Sequence, residues 1–112
     1  MTPGKEAVPR PLRRSEHEII FGTTNARKGW IDVLAVQRNI VVQAWERLTS
    51  DPLADDPACH GMKGDLEFVT HKGVSHRRRQ YELSHGARIW FYVEAGNVIL
   101  LDVHTHHPNA TK

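Results

Sequence analysis

The stretch ARIWFYVEAGNVILLDV (residues 87–103) decides how this 112-residue chain is expected to fold. It contains two apolar runs separated by Gly96 and Asn97, a pair that favours tight turns. The first run, RIWFYV, is rich in the β-branched and aromatic residues that strands prefer, and the second run reaches Val103. Two such runs around a turn predict a β-hairpin.

Side chains alternate between the two faces of a strand, so this hairpin predicts a core row and an opposite row. In the first strand the predicted core row is Ile89, Phe91 and Val93. The predicted opposite row of that strand is Arg88, Trp90 and Tyr92. In the second strand the predicted core row is Ile99, Leu101 and Val103, and the opposite row is Asp102, His104 and His106.

The region before this hairpin predicts one strand and two helices. HEIIF (residues 17–21) predicts a short strand, and Thr24 or Asn25 is expected to cap the helix that follows. The first helix is marked by apolar residues at helical spacing, namely Trp30, Val33 and Leu34. The second helix, after a short connection at Arg38 and Asn39, is marked by Val41, Ala44, Trp45 and Leu48. It is expected to end near Ser50, because Pro52 disfavours helical geometry at the residue before it.

Turn-forming pairs at Lys72-Gly73 and His85-Gly86 divide the intervening region into further short strands. We therefore predict an α+β fold, a single domain over residues 15–112 in which a strand precedes a helical hairpin packed on an antiparallel β-sheet. One face of that sheet is expected to remain open. Residues 1–14 contain three of the six prolines and no apolar periodicity, so we expect a disordered arm there.

Composition excludes several classes of protein. A hydrophobic content of 39% and a charged content of 25% indicate a globular domain, and no apolar run approaches the roughly 20 residues that cross a bilayer. Cys59 is the single cysteine and is read as an incidental loop thiol, so no intrachain disulfide can form, which favours a cytoplasmic location. The net charge is +2, but basic residues crowd the second half, which suggests a polyanionic partner.

The segment RRRQYELSHGAR (residues 77–88) carries the clearest signal for phosphate binding. The guanidinium fork of arginine binds phosphate oxygens in a bidentate way, and alternation places Arg77 and Arg79 on one face. Tyr81 and Trp90 could stack on nucleic-acid bases. A solvent-exposed hairpin decorated with arginine would give the same pattern.

The segment HTHH (residues 104–107) has three interpretations. His104 and His106 would lie roughly 6.5–7 Å apart on one face of a strand, as two ligands of a metal site that Asp102 or His60 could complete. They could instead transfer protons, since histidine titrates near neutral pH. The third interpretation is a polar strand end. His107 leaves the alternation because Pro108 follows it.

Basic groups and imidazoles on one sheet face, without an acidic pair or a nucleotide-binding loop, suit RNA cleavage that needs no metal or other cofactor. A base removes the proton of the 2′-hydroxyl, which attacks the adjacent phosphate and gives a 2′,3′-cyclic phosphate. An arginine stabilises the charged phosphorane, and an acid protonates the leaving 5′-oxygen.

The order of several motifs resembles the RelE/ParE superfamily of toxins from type II toxin–antitoxin systems, and its Txe/YoeB-like mRNA interferases most closely. These motifs are KGW, AWERLTSDPL, HGMKGDL, RRRQYEL, ARIWFYV and HTHHPNAT. The resemblance covers residues 18–112. It implies a helical hairpin on an antiparallel sheet and a cytoplasmic endoribonuclease that cleaves mRNA, often on the ribosome. It also implies an antitoxin partner with which the chain forms a hetero-oligomer.

The resemblance also implies roles for individual residues. Arg88 matches the family's phosphate-binding arginine, and His106 its terminal histidine. His107 takes the place of the tyrosine that follows, and His60 the place of a glutamate general base. We therefore expect Arg88, His106, His107 and His60 to be catalytic. The residues expected to bind RNA are Lys63, Lys72, Arg77, Arg79, Tyr81 and Trp90. Either Arg79 or the neighbouring Gln80 falls at the position where the family has another basic residue on a strand.

Two other functions remain open at this point. ParE-like members of the superfamily inhibit DNA gyrase instead of cleaving RNA, and they generally lack the catalytic basic and histidine residues. A toxin-fold protein that has lost activity would act only as a binding partner. The HTHH segment favours the ribonuclease.

Overall fold

The computed structural model describes residues 15–84 and 86–105, together with residues 8, 9, 11 and 13. The helices are α1 Thr24–Val36 and α2 Arg38–Ser50, and a short 3-10 helix covers Gly64–Leu66. The strands are β1 Glu18–Phe21, β2 Cys59–Gly61, β3 Phe68–His71, β4 Val74–Arg77, β5 Arg79–Glu82, β6 Arg88–Glu94 and β7 Asn97–His104. The predicted arm at residues 1–14 lies mostly outside the described residues and stays a prediction.

The strands form a large sheet in the order β1-β7-β6-β5-β2 and a separate hairpin of β3 and β4. The large sheet is antiparallel from β7 to β2, and β1 joins its other edge in parallel with β7. The predicted α+β fold, a strand followed by a helical hairpin packed on a sheet, is confirmed. None of the helices among the described residues is long and apolar enough to span a membrane.

The helices begin and end for local reasons. Thr23, one residue before the predicted cap, accepts a hydrogen bond from the Ala26 amide at 3.0 Å and donates one to the Leu101 carbonyl at 2.6 Å. This side chain therefore fixes the start of α1 against β7. Gln37 alone connects the two helices, and α2 ends at Ser50 as predicted from Pro52.

The core lies between the helices and one face of the large sheet. The predicted stripe of α2 is largely confirmed, with Val41, Ala44 and Leu48 buried and Trp45 half-buried. Ile89 and Phe91 of β6 are fully buried in the same cluster, with Val93 packed at its margin. Cys59, predicted to be a loop thiol, is instead a buried residue of β2.

A β-bulge changes the predicted core row of β7. Phe91 pairs with Leu100 whereas Trp90 pairs with Asp102, so Leu101 is the extra residue. An extra residue reverses the alternation on one side of itself. The prediction was therefore wrong for two of its three positions. The core residues of β7 are Val98, Leu100 and Val103 instead of Ile99, Leu101 and Val103.

The face of the large sheet that is turned away from the helices is not open along β6. The β3–β4 hairpin lies over it, with the His76 ring stacked on Tyr92 at a centroid distance of 3.8 Å. The Nδ1 atom of His71 lies 2.8 Å from the Tyr92 hydroxyl. Arg88, Trp90 and Tyr92 are 9%, 7% and 5% exposed, so the prediction of an open face was wrong here.

Candidate functional site

The candidate site is the sheet face opposite the helices, which we call the polar face. Strand register fixes which residues lie side by side on it, because directly paired residues project to the same side of a sheet. One row of paired residues runs across four strands and contains His60, Gln80, Trp90 and Asp102. The next row contains Glu82, Arg88 and His104. Alternation along β6 and β7 therefore gave the correct face for Arg88, Trp90, Asp102 and His104.

Arg88 is held in place by its own turn. Its Nη1 atom donates to the Ser84 carbonyl at 3.0 Å and to the Ala87 carbonyl at 3.2 Å, and it lies 3.5 Å from a Glu82 carboxylate oxygen. Its Nε atom is buried and has no hydrogen-bond partner among the described residues. A buried donor without a partner is costly, and an oxygen of a ligand could reach this Nε atom only if the side chain moved.

Trp90 supports the site and is not a free stacking surface. The Arg78 guanidinium lies 5.1 Å from the centre of its ring, and its indole N–H donates to Gln80 at 2.9 Å. The His104 ring packs against it in a T-shaped arrangement with a centroid distance of 4.5 Å. With only 7% of its surface exposed, Trp90 cannot stack on a base as predicted from the sequence. It instead positions Arg78 and His104.

The three consecutive arginines are distributed differently from the prediction. β4 ends at Arg77 and β5 begins at Arg79, so the two residues lie on different strands and do not share a face. Arg79 points to the helix side, where it donates to the carbonyls of Pro52 and Ala54 at 3.0 and 2.9 Å. Arg77 is exposed and pairs with Glu67 at 3.2 Å.

Arg78, which the sequence analysis did not select, is the member of this run that reaches the polar face. Its Nε atom is buried without a partner among the described residues, and burial lowers the pKa of its guanidinium. The nearby Asp102 partly opposes that shift. Arg78 lies two residues before Gln80, which is on the polar face, so alternation along β5 indicates the face of Arg78. The predicted grouping of Arg77 with Arg79 instead carried the alternation across the end of β4.

His60 lies at the edge of the polar face on β2. Its Nδ1 atom is 2.9 Å from the carbonyl oxygen of Gly61. A carbonyl only accepts hydrogen bonds, so Nδ1 carries the proton of the neutral ring and Nε2 carries the lone pair. This tautomer can accept a proton at Nε2.

His104 lies directly opposite Arg88, and its Nε2 atom is buried with no partner among the described residues. Burial lowers the pKa of this imidazole below its usual value, and Asp102 partly opposes the shift. His106 and His107, predicted to be catalytic, lie outside the described residues. Within the part of the chain that the structure describes, no group of three His, Cys, Asp or Glu residues is arranged to hold a metal ion.

The remaining predicted RNA-binding residues are dispersed. Lys63 is exposed just before the 3-10 helix, and Lys72 is exposed in the turn of the β3–β4 hairpin. Tyr81 pairs with Cys59 and Ile89 in the sheet, so it belongs to the helix side and is half-buried against the core. Tyr81 therefore does not share a face with Trp90.

Comparison with known proteins is informative at the level of structure. No family model matches the sequence, and no curated protein matches it. A copper-bound mutant toxin from Helicobacter pylori is similar in structure, with a TM-score of 0.56 and 16% identity over 80% of this chain and 94% of that one. The YoeB dimer from Staphylococcus aureus gives a TM-score of 0.54 and 11% identity over 81% of this chain and 98% of that one. The chain thus has a RelE/YoeB-like toxin fold, as the resemblance predicted.

Proposed function

We propose that this chain, with its RelE/YoeB-like toxin fold, is the toxin of a type II toxin–antitoxin pair and a metal-independent endoribonuclease. Its substrate is mRNA, cleaved on the ribosome, and its partner is a cognate antitoxin that silences it in a hetero-oligomer. The observation that carries the proposal is the pairing of Arg88 with His104 on a face that also holds His60.

The geometry of the polar face supports a 2′-hydroxyl attack. His60 has its lone pair on Nε2 and can remove the proton from the 2′-hydroxyl. The resulting oxygen attacks the adjacent phosphorus, and the positive charge of the Arg88 guanidinium stabilises the negative phosphorane. His106 and His107 follow β7 in sequence, and we assign them the protonation of the leaving 5′-oxygen. The products are a 2′,3′-cyclic phosphate and a 5′-hydroxyl.

The electrostatics of the face favour an anionic substrate. Arg88 is buried and Arg78 is partly buried, and the Nε atom of each is buried without a partner among the described residues. A phosphodiester would bring negative charge close to both guanidinium groups and would offset part of the cost of burying the two cations.

The test is to map mRNA 5′ ends in cells after induced expression, with and without a translation inhibitor. We expect growth arrest, new 5′-hydroxyl ends within coding regions, and loss of those ends when translation is blocked. The His106→Ala protein should fold and produce no new ends. Purified protein at high concentration should cleave free RNA slowly in the presence of EDTA, because the ribosome accelerates a reaction whose chemistry needs no metal ion.

Other outcomes would assign a different function. DNA damage and an SOS response without new RNA ends would indicate gyrase inhibition instead. A folded protein that neither arrests growth nor produces new ends would be an inactive binding partner. Loss of cleavage in EDTA would show that a metal ion takes part.

A further inference from the structure

Gln80 lies between His60 and Trp90 in one row of the polar face, and the proposed cleavage assigns it no role. The Trp90 indole N–H donates to the side-chain oxygen of Gln80 at 2.9 Å. An indole nitrogen can only donate a hydrogen bond, so the amide oxygen must be the atom that faces Trp90. The amide nitrogen of Gln80, with its two N–H donors, is therefore directed away from Trp90.

The amide nitrogen of Gln80 is a donor that remains available to a ligand. None of the described residues accepts a hydrogen bond from it, and it is not one of the buried atoms of the polar face that lack a partner. Trp90 is 7% exposed and packs against the Arg78 guanidinium, so the indole holds the amide in one orientation. A donor that is accessible and fixed in direction can select a ligand by its hydrogen bonding.

On the opposite side of Gln80 from Trp90 lies the imidazole of His60. His60 and Gln80 are paired directly between β2 and β5, so their Cβ atoms lie about 5 Å apart on the same face. His60 donates from Nδ1 to the Gly61 carbonyl at 2.9 Å, which leaves the lone pair of Nε2 free. The polar face therefore places one acceptor, Nε2 of His60, beside one donor, the amide nitrogen of Gln80.

An acceptor beside a donor matches a hydroxyl group, which donates its proton and accepts a second hydrogen bond on its oxygen. The 2′-hydroxyl of RNA has this property, and deoxyribose has no such group in its place. A nonbridging phosphate oxygen only accepts hydrogen bonds, so it would leave the His60 lone pair unused. The pair formed by His60 and Gln80 thus fits a ribose hydroxyl better than it fits a phosphate.

We propose that Gln80 and His60 together recognise the 2′-hydroxyl of the nucleotide that is cleaved, and that Gln80 distinguishes RNA from DNA. The hydroxyl donates to Nε2 of His60, and its oxygen accepts from the Gln80 amide. When the proton moves to Nε2, the same amide N–H stabilises the negative oxygen that attacks the phosphorus. The inference rests on the proposed function, because it takes the 2′-oxygen as the nucleophile.

The test measures the preference for ribose, which is the Kd of a 2′-deoxy probe divided by the Kd of a 2′-hydroxyl probe. The probes are fluorescently labelled oligouridines of about eight nucleotides with 2′-hydroxyl, 2′-fluoro or 2′-deoxy sugars. Their linkages are 5′-methylene phosphonates, in which carbon replaces the leaving oxygen, so no probe can be cleaved. Fluorescence anisotropy gives each Kd.

Two substitutions remove the amide donors of Gln80. Gln80→Met keeps the length of the side chain, and its sulfur still accepts weakly from the Trp90 indole. Gln80→Glu keeps a full acceptor for the indole, so it serves as the second variant if Gln80→Met does not fold. Gln43→Met and Gln43→Glu are the matched controls, because Gln43 is exposed on α2, which packs on the other face of the sheet.

We expect the unsubstituted protein to prefer the 2′-hydroxyl probe by about tenfold, the effect of two hydrogen bonds. The 2′-fluoro probe keeps the sugar pucker of ribose but has no proton to donate, so it should bind like the 2′-deoxy probe. The Gln80 variants should lower the preference to about threefold or less, because one of the two hydrogen bonds is lost. The added charge of Gln80→Glu affects all probes alike and cancels in the ratio. The Gln43 variants should keep the full preference.

Several results would overturn the inference. One is an unchanged preference in the folded Gln80 variants, and another is an equal loss in the Gln43 variants. Binding of the 2′-fluoro probe as tight as that of the 2′-hydroxyl probe would show that the protein reads sugar pucker instead of the hydroxyl.

Cleavage of natural RNA is measured separately, so that the two proposals fail independently. A protein that cleaves RNA and keeps its full preference without the Gln80 amide loses the Gln80 assignment alone. A protein that shows the Gln80-dependent preference without cleaving RNA loses the proposed ribonuclease function and keeps the site that recognises ribose.

Discussion

The role of Arg88 can be isolated by Arg88→Lys. Alanine is the wrong replacement, because Arg88 is 9% exposed and bonded to two carbonyls, so its removal would also damage the fold. Lysine keeps the charge but loses the planar fork. Loss of one charge-assisted hydrogen bond to the phosphorane costs about 1.5–3 kcal/mol, which corresponds to a roughly 10- to 150-fold lower kcat/KM.

Arg47→Lys provides a matched control for the loss of stability that Arg88→Lys causes through its broken hydrogen bonds. Arg47 donates to the carbonyls of Asp51 and Ala54 and to the Asp56 carboxylate, a bonding pattern like that of Arg88, but it lies on α2 away from the polar face. Both lysine variants should lose about 1–3 kcal/mol of unfolding free energy, a loss that most domains survive. Only Arg88→Lys should lose cleavage.

The assay combines urea unfolding, followed by tryptophan fluorescence, with cleavage of RNA by purified protein at a temperature where both variants are folded. Growth arrest on induction gives the same comparison in cells. If folded Arg88→Lys cleaved RNA as fast as the unsubstituted protein, Arg88 would not contact the phosphorane. If Arg47→Lys lost activity equally, the effect would come from stability.

Two further predictions follow from packing and from titration. A Cβ added at Gly29 would lie 2.1 Å from the Val103 carbonyl oxygen, so Gly29→Ala must push α1 away from β7. We expect the melting temperature of this variant to be roughly 5 °C or more lower, even though alanine favours helices more than glycine does. Gly61→Ala is the control, since its nearest contact would be Arg79 at 4.0 Å, and equal melting temperatures for the two variants would contradict the close approach. Because burial lowers the pKa of His104 below its ordinary value of 6.5, its contribution to stability is complete above that pH and is lost as the pH falls below it. His104→Gln should therefore lose less unfolding free energy between about pH 7 and pH 5 than the unsubstituted protein, and identical slopes in urea titrations would refute the assignment.

Features that depend on local periodicity were predictable from the sequence. The stripe of α2 and its end before Pro52 follow from helical spacing and from proline geometry. The faces of Arg88 and Trp90 follow from alternation within one uninterrupted strand. The turn before β7 was placed within one residue, with Ala95 and Gly96 adopting its positive φ angles. Each of these features depends on residues close together in the chain.

The tertiary structure decided the features that depend on register and on coverage by distant segments. The bulge at Leu101 reversed the faces of the earlier part of β7, because pairing with β6 determines where an extra residue is accommodated. The pairing of Gln80 with Trp90 placed Arg79 on the helix side and Arg78, which lies over Trp90, on the polar face. Packing of Arg78 and His104 against Trp90 converted a predicted stacking surface into a support for the site. The sequence by itself thus determined the elements, their order and the chemistry available, whereas contacts between distant residues determined which side chains meet, because register and burial are properties of the assembled sheet.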